Sequence, residues 1–519
     1  MATLARAGNP APRDDSGAVP REDSGAVPRE DSGAVPPIRL PTRMLYGVGS
    51  VAYGVKDVAF RSFLLLYYNQ VLGLPASLVS AAIMAALVVD AISDPIVGQL
   101  SDNLRTRWGR RHPLMYAAAL PAAGSFLLLF HPPAGLGETG LFLWILVASC
   151  LVRTLITFYE IPSSSLAPEL APDYDGRTAL AGWRYFFGVT GGLALAFTTL
   201  YIFLKPTPAY PVGQLNPDGY ALFAAAGALI MLVSILLSTA GTHHRIPYLR
   251  IPPERPRRTF AQTLSEMREA FSHRGLFAIL GFGMLCYTMI GLGAALALYF
   301  GTWLWGLSAR ELAILQLDGI LAATFALLLA PRLSRRFGKK AAARFFTLVM
   351  IAAALSPYVL RLSGLFFANG SPWLVPALFA FDTVKSTAGI IMLILVHAMI
   401  ADVVEDQEVR TGRRTEGLFY AAHSFMQKCV SGLGVFVAGL MLTAVNFPRG
   451  TRPAELDPAI MEHLVLIYVP VFACAFLAAA GLLSFYRISR ASHEANLARL
   501  ASRRCSNSAA QQHAEPEGN

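Results

Sequence analysis

Residues 85–113 read AALVVDAISDPIVGQLSDNLRTRWGRRHP, and this stretch decides how the rest of the chain is read. It opens as an apolar run with Asp90 and Asp94 inside it. It then breaks into a basic loop holding Arg105, Arg107, Arg110 and Arg111. At about 3.6 residues per turn, carboxylates four apart share one face of a helix. Two of them at membrane depth are costly, and intramembrane carboxylates mark ion pathways. The apolar run reads as a membrane span that carries a cation site.

Composition supports a membrane protein. Of 519 residues, 54% are hydrophobic and only 15% are charged, with a mean hydropathy of +0.48. Soluble domains carry about a quarter charged residues. The formal net charge of +10 does not point to nucleic acid, because Lys and Arg fall in short loops between apolar spans. Cys150, Cys286, Cys429, Cys474 and Cys505 form no CxxC and have no metal-ligand spacing, so no disulfide is implied. Neither HExxH nor GxSxG occurs, and His397 and His423 stand far apart, which argues against a membrane-embedded enzyme.

Residues 13–36 repeat an octapeptide, RDDSGAVP then REDSGAVP twice. Such a segment buries too little surface to order itself, so 1–42 reads as a disordered cytoplasmic tail, a spacer or a docking site. It has no apolar core and is not a signal peptide. Apolar segments near the length of a bilayer span follow at 45–71, 77–100, 113–131, 140–163, 181–203 and 219–240. Six more lie at 276–300, 308–330, 342–362, 373–400, 416–443 and 461–486. The fold class expected is an all-α membrane protein with twelve transmembrane helices in two six-helix bundles. The bundles are residues 43–241 and 276–487, joined by a cytoplasmic linker at 242–275 and followed by a basic tail at 488–519.

Orientation follows from charge. Beside the four arginines above, one set of loops holds Arg245, Arg250, Arg255, Arg257, Arg258, Arg332, Arg335, Arg336, Lys339, Lys340, Arg410, Arg413 and Arg414. The opposite set offers Lys205, Arg310, Arg361, Arg449 and Arg452. Both termini are expected in the cytoplasm of a multi-pass cell-membrane protein. Phe260–Phe271 has helical apolar spacing, read as an amphipathic surface helix or a solvated linker. The loop Pro331–Lys340 (PRLSRRFGKK) stands where the arginine loop stands in the first half, as two parallel repeats would give.

Charged residues within spans are the candidate site. Lys56 and Asp57 are adjacent and point in different directions, each with its own partner: an ion pair to another helix or a substrate. Asp90 and Asp94 raise each other's pKa unless a cation sits between them, and carboxylate oxygens suit sodium or a proton. Span four holds Arg153 and Thr157 on one face, and Glu160 beside Pro162. Arg153 reads as a neutraliser of a neighbouring carboxylate, Glu160 as a binding residue. Arg184 opens span five and either snorkels to the interface or faces the cavity. Asp318, Asp382 and Lys385 also lie within spans, Asp382 and Lys385 are three apart and neutralise each other, and Lys428 needs a carboxylate partner.

Taken together, the sequence resembles the glycoside–pentoside–hexuronide:cation symporter family of the major facilitator superfamily over about residues 43–490. The resemblance rests on Tyr46-Gly47 with Lys56-Asp57, DAISDPIVG at 90–98 and TRWGRRHP at 106–113. EIPSSSLAPEL at 160–170 and ADVVEDQEVRTGRRTEG at 401–417 with Lys428 complete it. It implies two bundles around a central cavity that alternate in access. It implies that Asp90 and Asp94 bind the coupling cation, sodium if not a proton, with Thr157 and Lys428 nearby. It implies that Lys56, Asp57, Glu160, Ser164 and Arg184 contact substrate. Ser164 replaces an aromatic platform for a sugar ring, and Glu160 replaces an aspartate.

The resulting expectation is a cation-coupled secondary transporter of a sugar or glycoside, not an enzyme. The alternative is a carrier of a lysolipid or other amphiphile, or an exporter. No cofactor is expected beyond the coupling sodium or proton. The partners are a small-molecule substrate, that cation and membrane lipid, with no nucleic acid, and the chain is expected to be a monomer.

Overall fold

A computed structural model describes residues 38–171, 173–249, 274–411, 430 and 432–486, with scattered positions from 488 to 502. The octapeptide repeats, Phe260–Phe271, His423 and Lys428 lie outside the described residues. All the regular elements among the described residues are helical. Ten helices among them are long and apolar enough to cross a membrane. Where no water satisfies backbone groups, a helix is the structure that pairs them all internally.

The chain begins with α1 (Leu40–Val48) and α2 (Ser50–Val58). The helical path then runs on through π turns at Ala59–Phe63 and Tyr67–Val71 around the short α3 (Leu64–Leu66). Next come α4 (Ala76–Asn103), α5 (His112–Leu129), α6 (Glu138–Leu170), α7 (Tyr174–Thr198) and α8 (Pro217–His243). The second set is α9 (Arg274–Tyr299), α10 (Ala309–Leu315), α11 (Asp318–Phe337), α12 (Lys339–Leu362) and α13 (Leu374–Thr411). It is completed by α14 (Gly432–Ala444) and α15 (Pro458–Leu482).

Local chemistry sets the boundaries. Asp173 caps α7 by accepting from the Gly176 N–H at 2.7 Å, and Asn216 caps α8 with Pro217 in its first turn. Ser308 and Glu311 close a capping box on α10. Gly338 has φ +79°, so a single left-handed residue separates α11 from α12.

Three expectations are corrected here. Span four does not end near Pro162, because α6 runs on through Pro162 and Pro168 to Leu170. Prolines are tolerated there because neighbouring helices support the freed backbone groups. Pro331–Lys340 is not a loop, since all but Gly338 is helix. Arg184 does not open its span, because the Asp173 cap starts the helix roughly three turns earlier.

Packing joins α4 to α6, α5 to α6 and α8, and α2 to α7. In the second set α13 packs on α11 and α12, and α9 packs on α15. Gly54 and Gly188 let α2 and α7 touch backbone to backbone: a Cβ on Gly54 would stand 1.9 Å from the Gly188 carbonyl oxygen. Small residues at such crossings replace the hydrophobic drive that lipid does not supply.

One end of the molecule carries the basic residues Arg105–Arg111, Arg245, Lys339 and Lys340. At the other end the two sets are tied together. Tyr299 donates to Asn69 Oδ1 at 2.9 Å, Gln70 to the Pro448 carbonyl at 3.1 Å, and Gln214 to the Leu307 carbonyl at 2.8 Å. Arg449 meets Glu138 at 3.1 Å and the Gly73 carbonyl at 3.3 Å.

Candidate functional site

Helices α4 and α6 pack side by side, which carries Asp90 and Asp94 up to Arg153 and Thr157. The Thr157 hydroxyl lies 3.0 Å from Asp90 Oδ1 and 3.2 Å from Asp94 Oδ1. It therefore bridges the two carboxylates, although its single hydrogen serves one at a time. Arg153 NH1 takes the other oxygen of Asp90, Oδ2, at 3.2 Å. Both side chains of that pair are withdrawn from solvent, 8% exposed for Arg153 and 5% for Asp90. The guanidinium also stands over the Phe60 ring, 4.6 Å from its centroid. The reading of Arg153 as neutraliser of a carboxylate thus acquires a named partner.

The expected substrate residues fall into two groups. Arg184 donates from NH1 to the Tyr46 hydroxyl at 3.2 Å and to Ser163 Oγ at 3.1 Å. Tyr46 in turn donates to the Ser163 carbonyl at 2.9 Å. These bonds span α1, α6 and α7 and hold the guanidinium inward, so the snorkelling alternative is set aside. Lys56 is buried on α2, with Nζ 4.0 Å from the centre of the Tyr53 ring. Asp57 pairs with Arg61 at 3.4 Å. Lys56 and Asp57 do have separate partners, but both partners lie on their own helix rather than on another. Glu160 is half-buried and makes no hydrogen bond or ion pair among the described residues, while its charge acts on both Lys56 and Arg184. Ser164 is exposed and returns its hydroxyl to the Ile161 carbonyl at 2.9 Å.

Ser163, Tyr53 and Phe60 were not singled out from the sequence. Ser163 was hidden in a run of three serines. Tyr53 stands three residues before Lys56, a spacing that also fits ordinary core packing, and Phe60 meets Arg153 only through the packing of separate helices. In the second set, Ser386 donates to Asp318 Oδ2 at 2.6 Å, and Lys385 pairs with Asp382.

At the basic end, Arg110 and Arg111 converge on Glu169 Oε1 at 2.5 and 2.6 Å, and Arg111 also reaches Asp102 at 3.5 Å. These carboxylates hold Arg110 and Arg111 of the arginine loop. In the second set Lys339 meets Asp402 at 2.5 Å, and Tyr486 donates to the same carboxylate at 2.8 Å.

Charged groups buried between membrane-length helices, with the two helix sets hydrogen-bonded together at one end and basic residues at the other, are the features of a membrane transport protein. The pattern of the MFS/sugar transport protein family matches residues 45–490. The chain belongs to that family, and within it to the glycoside–pentoside–hexuronide:cation symporters, which are transporters and not enzymes. It is 26% identical to the putative glycoside/cation symporter YagG of Escherichia coli, over 87% of this chain and 92% of that one. It is 25% identical to the isoprimeverose transporter of Lactiplantibacillus pentosus, over 86% and 88%. Its fold is similar to the crystal structure of a D-xylose-proton symporter, with a TM-score of 0.58, 17% identity, and 86% and 98% of the chains covered.

Proposed function

We propose that the protein is a cation-coupled secondary transporter that moves a sugar or glycoside by alternating access. The observation that carries this reading is the Thr157 hydroxyl bridging Asp90 and Asp94 between α4 and α6. An ion taken up by these carboxylates changes the balance of charge at the contact of two helices. It thereby biases how α6 presents Glu160 to a substrate. Coupling requires each ligand to bind better when the other is present, a reciprocal statement about affinity. Lys428 follows the same assignment by resemblance.

Lys56, Asp57, Glu160 and Arg184 are the proposed substrate contacts, with Ser164 at the rim. Glu160, with no partner among the described residues, accepts hydroxyls, and Arg184 and Lys56 donate to ring or hydroxyl oxygens. The names of the isoprimeverose transporter and the glycoside/cation symporter support a glycoside. The exposed Ser164, in place of an aromatic platform, favours as second reading an amphiphile such as a lysolipid, or export.

The architecture proposed is two six-helix bundles, with the segment Leu40–Val71 and α14 added to the ten long helices. The basic end faces the cytoplasm by the positive-inside rule, with both termini on that side. In that orientation, the bonds tying Asn69 to Tyr299 and Gln214 to Leu307 support a closed state of the extracellular end. The coupling ion, the lipid around the bundles and a monomeric state complete the proposal, with no further cofactor.

The test is uptake into proteoliposomes of a labelled glycoside, pentoside and hexuronide panel, with sodium or proton gradients imposed in turn. Accumulation of one sugar, lost in Asp90→Asn with the protein still folded, is the expected result. Driven uptake by Asp90→Asn equal to wild type would remove the site assignment. Robust lysolipid binding with no sugar response would transfer support to the second reading.

A further inference from the structure

Both oxygens of Asp90 already have fixed protein donors. Thr157 holds Oδ1 at 3.0 Å and Arg153 holds Oδ2 at 3.2 Å. Sodium is bound through several oxygen lone pairs at once, and it brings its own positive charge. Here a guanidinium of the same sign lies against the carboxylate it would use. Neither charge of the Arg153–Asp90 pair is screened by water. Nor is Arg153 loosely placed, since the Phe60 ring stands against its flat face. The residues around Asp90 do not fit a sodium ion.

We propose that Arg153 is a tethered cation that takes the place of sodium at Asp90, and so determines ion specificity: sodium neither binds there nor drives transport. This rests on the reading of Asp90, Asp94 and Thr157 as the coupling-ion site. It assigns Arg153 a role that a mere structural ion pair would not have. Removing a structural pair weakens the fold, whereas removing a tethered cation opens the carboxylates to a free one.

Sodium alone serves as the probe, with the full chain in lipid nanodiscs and choline replacing sodium at constant ionic strength. Thermal unfolding and intrinsic tryptophan fluorescence report binding. Wild type is expected to respond identically to both salts. Arg153→Met is expected to gain a sodium-specific rise in unfolding midpoint and to bind sodium at least about tenfold more tightly than wild type. Arg153→Lys keeps a cation in place and is expected to remain indifferent. Arg153→Gln, which retains a hydrogen-bond donor, serves where the Met variant fails to fold. A sodium-specific response of wild type, or neutral variants as indifferent as wild type, would overturn the proposal. Sodium-driven sugar uptake by wild type would overturn it and leave the coupling reading standing. Absence of driven uptake under every gradient would remove the coupling reading, while the comparison of sodium binding would still stand.

Discussion

Arg111 reaches Glu169 across the basic end of the first half, with NH2 2.6 Å from Oε1, and both side chains are nearly sealed from solvent at 7% and 11% exposure. Arg110 joins the same oxygen. The second half repeats the device: Lys339 at the start of α12 reaches Asp402 near the end of α13. In each half a cation that opens one helix holds a carboxylate near the basic end of another. These clamps differ in exposure, because Lys339 is 31% exposed.

The clamps are therefore expected to differ in strength. Glu169→Ala takes the shared carboxylate from Arg110 and leaves Arg111 only Asp102 at 3.5 Å, and is expected to cost about 3 kcal/mol, as for breaking a buried pair. Lys339→Ala is expected to cost about 1 kcal/mol, since solvent screens part of its charge. Thermal unfolding in detergent, followed by monodispersity, measures both. Equal losses would mean that burial does not set the difference.

Thr157→Val removes the hydroxyl shared by Asp90 and Asp94 at nearly constant volume. A hydrogen bond to a charged group contributes about 1.5–3 kcal/mol. Gradient-driven uptake is expected to fall roughly tenfold or more, while uptake down the substrate's own gradient persists. Thr157→Ser keeps the hydroxyl and is expected to stay near wild type. Comparing driven with undriven uptake in the same vesicles separates a coupling defect from a folding defect.

Tyr299→Phe deletes the 2.9 Å bond to Asn69 that ties the two helix sets at the non-basic end. A neutral bond of this kind contributes about 1 kcal/mol, so the open population at that end is expected to rise about fivefold. Ser80, fully buried against Gly439 of α14, is the reporter position. A cysteine placed there should react faster with an impermeant maleimide in the Phe variant. An unchanged rate would locate the latch elsewhere.

Gly54→Ala forces a methyl toward the Gly188 carbonyl oxygen, 1.9 Å from an ideal Cβ position. The helices must separate, and overpacking of this kind costs about 1–3 kcal/mol. Lower yield and an earlier unfolding midpoint are expected, against no change for Gly182→Ala, where nothing lies within 4 Å. Equal behaviour of the two variants would mean that α2 and α7 do not depend on this contact.

Part of the candidate site, the grouping of Asp90, Asp94 and Thr157, was legible along the chain. Asp90 and Asp94 stood out because a helix places residues four apart on one face and lipid makes charge costly. Ten of the expected spans stand as long apolar helices among the described residues, while π turns divide Leu40–Val71 and the expected span 416–443 is described as a helix only over Gly432–Ala444. The span expected at 140–163 ends near Pro162, yet helix packing lets α6 run through Pro162 and Pro168. Arg184 looked like the start of a span because the Asp173 cap, not hydropathy, begins α7.

What the sequence by itself determined was the membrane class, the family, and which charges fall within apolar segments. The class is a property of composition, the charges of local position, and the family of motifs that resemble its members in order along the chain, so no distant contact is needed to read them. Tertiary structure alone decided which charge meets which. Arg153 and Asp90 are 63 residues apart in the chain and are brought together only by the packing of α4 on α6. Whether a buried carboxylate awaits an ion or already holds one depends on that pairing. No spacing rule along one helix contains it.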